Sequence, residues 1–556
     1  MNKKRQKTKT PAASSPSFNL AQHESKPYFF PALGLCGLLM GILLFDANLS
    51  LTGDNAQFIN LGRSLAEGYG LAETIEGEPI PHTKYPFGFP LLLAIVHILF
   101  PANLIALKSL VVLLYAISIP LTYFLIREFA TPPLALGVSA LCLASPHLLD
   151  YSHQVMSEIP FLLFSLISLL LLHRAYLPGH RQAHNGSSTK VTKDTKGRKP
   201  FLFRVCYLLR GVVGFACARP SWILFAIIAI IAACYIRSAG IILIGTGIIF
   251  FALHKKWKET GLIALGSLLL VLPWQIRNAS LGGTPYIQQL LSINPYRPEE
   301  GMLTLTTLIE RILENLEIYG LHVIPQIFVP TFISSTDPGF STYFVGLVFS
   351  GMILYALITG LIKRHLLIVY LTCYLCLYIL WPQVWSDTRF LVPAFPIFFY
   401  AILTSMDELL QLLARALKKT ASRAGVVLFF LFLLGSNIFE THALSQRIGW
   451  LPSNWDNYFA AAEWIKNNTE PDVKIICRKP YLMNAITNRK AAGYLWKTPD
   501  QVIADFEKKS IGIVVVDQLG FRSTPEFLVP TIQAYENRFE LLHIVRDPNT
   551  YVLKFK

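Results

Sequence analysis

Stretches of fifteen or more mostly apolar residues recur along the chain, separated by short polar connections; "YFFPALGLCGLLMGILLF" at 28–45 is the first. A helix needs about 20 predominantly apolar residues to cross a bilayer, and a chain with many such runs has few ways to fold in water. Composition agrees: 53% of the 556 residues are hydrophobic and only 15% charged, where a soluble domain carries about a quarter charged residues. The pattern predicts an all-α polytopic membrane domain. Eleven spans are expected, near 28–45, 104–126, 132–149, 158–173, 222–236, 239–253, 259–273, 342–361, 366–381, 390–405 and 425–440.

The net charge of +15 does not point to nucleic acid, because the basic residues collect in short loops between apolar runs, as positive-inside topology requires. The tail 1–27 is basic and polar and lacks a small-residue cleavage site, so the first span reads as an uncleaved anchor. Loop 174–200 is basic and rich in Ser, Thr and Gly, which predicts a mobile cytoplasmic segment. "HKKWK" at 254–258, "KRH" at 363–365 and "RALKKTASR" at 415–423 fall on the same side. Loops 46–86 and 274–341 are net acidic and are expected outside. An odd number of spans then places the N-terminus in the cytoplasm and the C-terminus outside it. Residues 201–218, interrupted by Arg204 and Arg210, are expected to form an interfacial or re-entrant cytoplasmic helix.

The first outer loop, 46–101, is predicted to carry interfacial helices at 54–67 and 85–101, and 303–320 has a similar pattern. After about 450 the apolar runs stop. "VKIICR" (473–478) and "IGIVVVDQ" (511–518) read as buried strands, "TPDQVIADFEKK" as a helix with a Thr cap and Pro at its first position, and "ELLHIVRD" and "TYVLKFK" as closing strands. Residues 450–556 are thus expected to form a small extracytoplasmic α/β domain, behind a transmembrane domain over 28–445. The eight cysteines, mostly inside apolar segments, read as small hydrophobes.

Ionisable residues at membrane depth are costly and mark functional sites. The outer set contains Asp54, Lys84, Glu158, Arg237, Arg277, Asp387 and Arg389, with Asn55, His82 and His153 beside them. Each acid has a plain structural alternative, since a helix N-terminus favours a carboxylate, and Asp387 can simply neutralise Arg389. Carboxylates and cations facing one cavity suit transfer of a group from an anionic leaving group. The carboxylate takes a proton from the attacking hydroxyl, and guanidinium or ammonium groups receive the phosphate.

The ordered series "DNAQFINLGRSLAEGYG", "TKYPFGFPLLLA", "SPHLLDYSHQVMSEIPF", "IRSAG", "LPWQIRN" and "DTRFLVPAFP" resembles the multi-spanning C-type (GT-C) glycosyltransferases, which include protein O-mannosyltransferases and the bacterial lipid A aminoarabinose transferase. The likeness runs from about 28 to 405. It implies a polyprenyl- or dolichyl-phosphate sugar donor, an acceptor hydroxyl on a protein, lipid or glycan, and inversion at the anomeric carbon. By the same resemblance Asp54 and Glu158 are the catalytic acids, and Lys84, Arg237 and Arg389 bind the donor's lipid phosphate. Asn55, His82, His153 and Asp387 are candidate substrate contacts. The family often has Asp-Glu where this chain has Asp54-Asn55, which leaves a divalent metal an open question; no other cofactor is implied. The absence of long insertions points to a bacterial inner membrane. A transporter or flippase of a lipid-linked sugar is the alternative, but it would place charges near the midplane of several spans and show repeated halves, and neither pattern is present.

Overall fold

The computed structural model describes residue 24 and residues 28–177, 219–283, 286–332, 339–418 and 424–556. The expected helix at 201–218, the tail before residue 24 and most of the basic 174–200 loop lie outside the described residues. Among those described, six helices are long and apolar enough to cross a membrane: Leu104–Arg127, Glu158–Tyr176, Trp257–Ser280, Phe340–Ile362, Thr388–Ala416 and Ala424–Ser445. A seventh expected span, 132–149, is a pair of helices, Pro132–Ala144 and Pro146–Ser152, bent by 59°. Pro146 causes the break. It has no amide proton to continue the first helix and pushes Ser145 into an extended conformation (φ −70°, ψ 117°), where the serine hydroxyl accepts from Leu148 N and starts the second helix.

The other four expected spans fall on Phe29–Leu43, Arg219–Ile236, Ser238–Leu253 and Leu366–Ile379, whose apolar stretches among the described residues run 10–17 residues. The count of eleven is therefore not reached by helix length. A helix rises about 1.5 Å per residue, so these pieces are shorter than a hydrocarbon core of about 30 Å. Glu158–Tyr176 is buried along most of its length, packed against Leu104–Arg127 and the helix Arg219–Ile236.

The 46–101 segment contains the helices Gly53–Ala66 and Gly88–Leu99, joined through a two-stranded antiparallel ribbon, β1 (Ala72–Glu73) and β2 (Ile80–Pro81). Gly88 lets this segment touch the bundle. A Cβ there would lie 2.6 Å from the carbonyl oxygen of Tyr235, the last turn before Arg237. A similar approach at Gly240, 2.5 Å from Cys234 N, folds the chain back after Arg237.

Residues 453–556 form a five-stranded sheet in the order β4-β3-β5-β7-β6, with β3 Ile475–Ile476, β4 Ala491–Ala492, β5 Ile513–Val516, β6 Phe539–Val545 and β7 Thr550–Phe555. The β4-β3-β5 pairs are parallel and the β5-β7-β6 pairs antiparallel. Alternation sends Ile475, Ile513 and Val515 against helix Ser453–Asn468, and Ile476, Val514 and Val516 against helix Pro499–Lys509. All four expected strands are present, the two buried ones shorter than expected, and β4 and the helix Pro480–Thr487 are elements the sequence does not predict. Thr498 stands at the cap position, but its hydroxyl donates to Gln501 Oε1 at 3.3 Å and makes no cap to the backbone.

Gly88→Ala should lower the stability of the purified chain by about 1–3 kcal/mol, the usual cost of forcing an added carbon into packed surroundings; its melting temperature in detergent measures this.

Candidate active site

Asp54 is the second residue of helix Gly53–Ala66, which starts after the extended Thr52. It stands in the first turn of that helix, where the backbone dipole favours a negative charge. Three other breaks in helical structure converge on it. Glu158 is the first residue of its helix. Arg237 is an extended residue between two helices. Arg389 lies in the 3₁₀ turn Thr388–Ala394 that begins a long helix.

These side chains form one chain of charge-assisted hydrogen bonds. Arg389 donates from Nη2 to Asp54 Oδ2 at 2.9 Å and from Nε to Glu158 Oε1 at 2.5 Å. Arg237 Nη1 lies 2.9 Å from the same Glu158 oxygen and donates to Ser157 Oγ at 2.9 Å. Tyr85 donates its hydroxyl to Asp54 Oδ1 at 2.6 Å, and Lys84 Nζ stands 4.0 Å from that oxygen. Both guanidinium groups flank the ring of Phe390, at 5.6 and 5.5 Å from its centroid. The set carries three cations and two carboxylates, so it is one positive charge in excess before any ligand arrives.

Burial pushes the Asp54 carboxyl up, but the charges of Arg389 and Lys84 and the bonds from Tyr85 and Arg389 outweigh it and hold the group below its ordinary value. Asp54 is ionised throughout the physiological range. Its contribution to stability is fully present above the ordinary carboxylate value and is lost as the pH falls through the depressed one.

A cavity of about 280 Å³ opens beside this cluster. Asp54, Lys84, Arg237 and Arg389 are on its wall, with Phe58, Tyr85, Tyr296, Tyr378, Trp381, Trp385 and Phe390. The side chain of Lys84 is 46% exposed and that of Asp54 33%, so both remain within reach of a ligand. The aromatic wall was not anticipated; its signal is the spacing of tryptophans in "WPQVWSDTRF", immediately before Arg389.

Several expected contacts lie elsewhere. Glu158 is fully buried and does not line the cavity; it stands behind the two arginines and orients them. Asn55 is fully buried with neither polar side-chain atom bonded, because one helical step of about 100° turns it away from the face that Asp54 uses. His82 is buried and accepts the Tyr85 amide on Nε2 at 2.8 Å, so it shapes the loop and does not reach the cavity. His153 follows the helix that Pro146 redirects, and its ring packs 6.4 Å from that of Phe45. Asp387 accepts from Arg389 N at 3.1 Å and caps the 3₁₀ turn. Arg277 donates to the carbonyls of His82, at 2.7 Å, and Leu71, at 3.4 Å, and ties the loop down.

Among the described residues no group of three or more His, Cys, Asp or Glu side chains is arranged to hold a metal ion. The two carboxylates of the cluster are both engaged by guanidinium groups, and Asn55 points away, so this donor set does not fit a divalent cation. Glu158→Gln should cost about 3–5 kcal/mol, since it leaves the buried Arg237 without its counter-charge and Arg389 with Asp54 alone; thermal unfolding of the purified variant reads the loss.

No protein family profile matches the sequence, and no curated protein matches it. Solved structures do. The oligosaccharyltransferase AglB from Archaeoglobus fulgidus, in complex with an inhibitory peptide and a dolichol-phosphate, has a TM-score of 0.55 at 14% identity, over 94% of this chain and 74% of that one. ArnT from Cupriavidus metallidurans bound to undecaprenyl phosphate has a TM-score of 0.55 at 12% identity, over 95% of this chain and 98% of that one. ArnT in the apo state covers 94% of this chain at a TM-score of 0.52. At such identities the likeness establishes the architecture: this integral membrane protein has the GT-C fold that AglB and ArnT share.

Proposed function

We propose that the chain is an inverting glycosyltransferase, which moves a sugar from a polyprenyl-phosphate or dolichyl-phosphate to an acceptor hydroxyl on a protein, lipid or glycan. The observation that carries this reading is the Asp54–Arg389–Glu158–Arg237 chain with Lys84 beside it: a cavity wall with one exposed carboxylate and an excess of cations. That two proteins of the same fold are bound to lipid phosphates supports the choice of donor.

In this reading the lipid phosphate meets Lys84, Arg237 and Arg389, and the sugar lies along the aromatic wall. The acceptor oxygen attacks the anomeric carbon from the side opposite the phosphate. The bond between that carbon and the phosphate oxygen breaks, its electron pair leaves with the lipid phosphate, and the configuration inverts. Asp54 takes the hydroxyl proton. A carboxylate of depressed pKa is a weak base, so the proton moves late, once the oxygen has largely bonded to carbon and become acidic. Donor binding helps, because a phosphate that shares Arg389 and Lys84 weakens their hold on Asp54. The cations stabilise the charge that develops on the leaving group, which needs no general acid. Glu158 serves as a positioning residue that fixes both guanidinium groups.

The basic loops support an orientation with the N-terminus in the cytoplasm and the transfer site and residues 450–556 outside it, in a bacterial inner membrane. The same reading divides the chain into a transmembrane catalytic part over 28–445 and an extracytoplasmic α/β part over 450–556.

Incubating the purified protein with a panel of polyprenyl-phosphate sugars should raise its melting temperature with one of them, by mass action. With that donor, Asp54→Asn should retain the fold and donor-induced stabilisation while transfer falls by at least about 100-fold, the lower range for loss of a general base. Undiminished turnover by Asp54→Asn would refute the assigned role, and exchange of labelled donor across a vesicle membrane without covalent product would favour transport.

A further inference from the structure

The helix that carries Asp54 uses a second face to hold residues 453–556. Gln57, Asn60 and Arg63 recur every third position along it and so share one side. Arg63 donates from Nη1 to Asn488 Oδ1 at 2.5 Å and from Nη2 to Ala485 O at 3.3 Å. Asn60 Nδ2 donates to Tyr481 O at 3.2 Å. All these partners belong to the helix Pro480–Thr487 or the residue that ends it. A few residues on, Ala491 N in β4 donates to Ile75 O at 2.6 Å, which fastens the edge of the sheet to the loop after β1.

From this contact the hydrogen bonds run on toward the cavity. Tyr481 donates its hydroxyl to Glu73 Oε2 at 2.6 Å. The other carboxylate oxygen of Glu73 receives Gln57 Nε2 at 2.8 Å and faces His82 Nδ1 at 2.7 Å. The Tyr85 amide donates to His82 Nε2 at 2.8 Å, so that nitrogen carries the lone pair and the proton is assigned to Nδ1, which donates to Glu73. Tyr85 then donates its hydroxyl to Asp54 Oδ1. Burial raises the Glu73 carboxyl, but the bonds from His82, Tyr481 and Gln57 bring it below its ordinary value, which keeps it an acceptor for all three.

We propose that residues 453–556 act on the reaction through this path, with Tyr481, Glu73, His82 and Tyr85 as positioning residues that set the orientation of the Asp54 carboxylate. The inference rests on the reading of Asp54 as the base. Tyr85 and Arg389 each hold one carboxylate oxygen, so a shift of Tyr85 turns the plane of the group. The position of Tyr85 is in turn fixed by an imidazole whose tautomer depends on Glu73. A docked domain therefore presents the base in one orientation, and an undocked one leaves Tyr85 without that constraint.

The test uses the full chain. Tyr481→Phe keeps the ring and the main-chain contact to Asn60 and removes only the hydroxyl. It should lower kcat by about tenfold, the effect of weakening one hydrogen bond to a charged group, with the donor KM unchanged and the melting temperature lowered by no more than a few degrees. Tyr85→Phe with Tyr481→Phe should be no slower than Tyr85→Phe alone, because both variants interrupt one path. Modification of Asp54 by a water-soluble carbodiimide and an amine, read by mass spectrometry, should be several-fold faster in Tyr481→Phe than in the wild type. Glu73→Gln is the second variant and should behave alike. The proposal is overturned if kcat and Asp54 labelling are unchanged in both variants, or if the double variant loses the product of the two single losses. If the wild type transfers no sugar from any donor, the glycosyltransferase reading falls, and the Asp54 labelling rates still decide whether the path exists.

Discussion

The bidentate grip of Arg389 on Asp54 and Glu158 is the contact on which the rest of the site depends. A fully buried carboxylate such as Glu158 is tolerated only with counter-charges in contact, and Arg389 and Arg237 supply them through one oxygen. Once Glu158 holds both guanidinium groups, Arg389 retains an Nη2 donor that reaches Asp54 on a different helix. The pairing thereby links the start of the 46–101 segment to the helices that begin at Glu158 and Thr388. Its cost in desolvation is spread over a network that also fills the cavity wall with positive charge.

All the charged groups but Lys84, which lies in a loop, are at ends or interruptions of helices, and this has a physical basis. A helix interior in an apolar bundle has no spare donors or acceptors, whereas its first turn has free N–H groups that favour carboxylates. Asp54 and Glu158 occupy such first turns. The arginines occupy the complementary places, an extended residue and a 3₁₀ turn, where the backbone leaves room for a long side chain to fold back. Gly88 and Gly240 allow the close backbone approaches that bring these ends together.

The sheet region is joined to the same machinery by polar contacts, and this explains an otherwise puzzling helix. Gly53–Ala66 buries Asn55, Gln57 and Asn60, residues that a purely lipid-facing or core helix would not carry. Two of them are spent on the Pro480–Thr487 helix and the Glu73 ribbon, while Asp54 serves the cavity. One short helix thus mediates between a membrane bundle and a sheet.

Much of this was legible without coordinates. Apolar runs marked helices at every expected span, and marked those over 222–236, 239–253 and 366–381 as short, because hydrophobic length is a local property; the Pro146 break was not legible, since it depends on one dihedral. Asp54, Lys84, Glu158, Arg237 and Arg389 stood out as charges in apolar surroundings, and all five converge. Which of them faces a ligand was decided by packing: Glu158 went behind the arginines, His82 and Asp387 into loop-forming bonds, and Asn55 and His153 into the interior. The sequence by itself determined a helical membrane protein with a set of charges too costly to be idle. Only the tertiary structure decided their partners, because hydrogen bonds between residues 54 and 389, or 73 and 481, join positions that no local pattern connects.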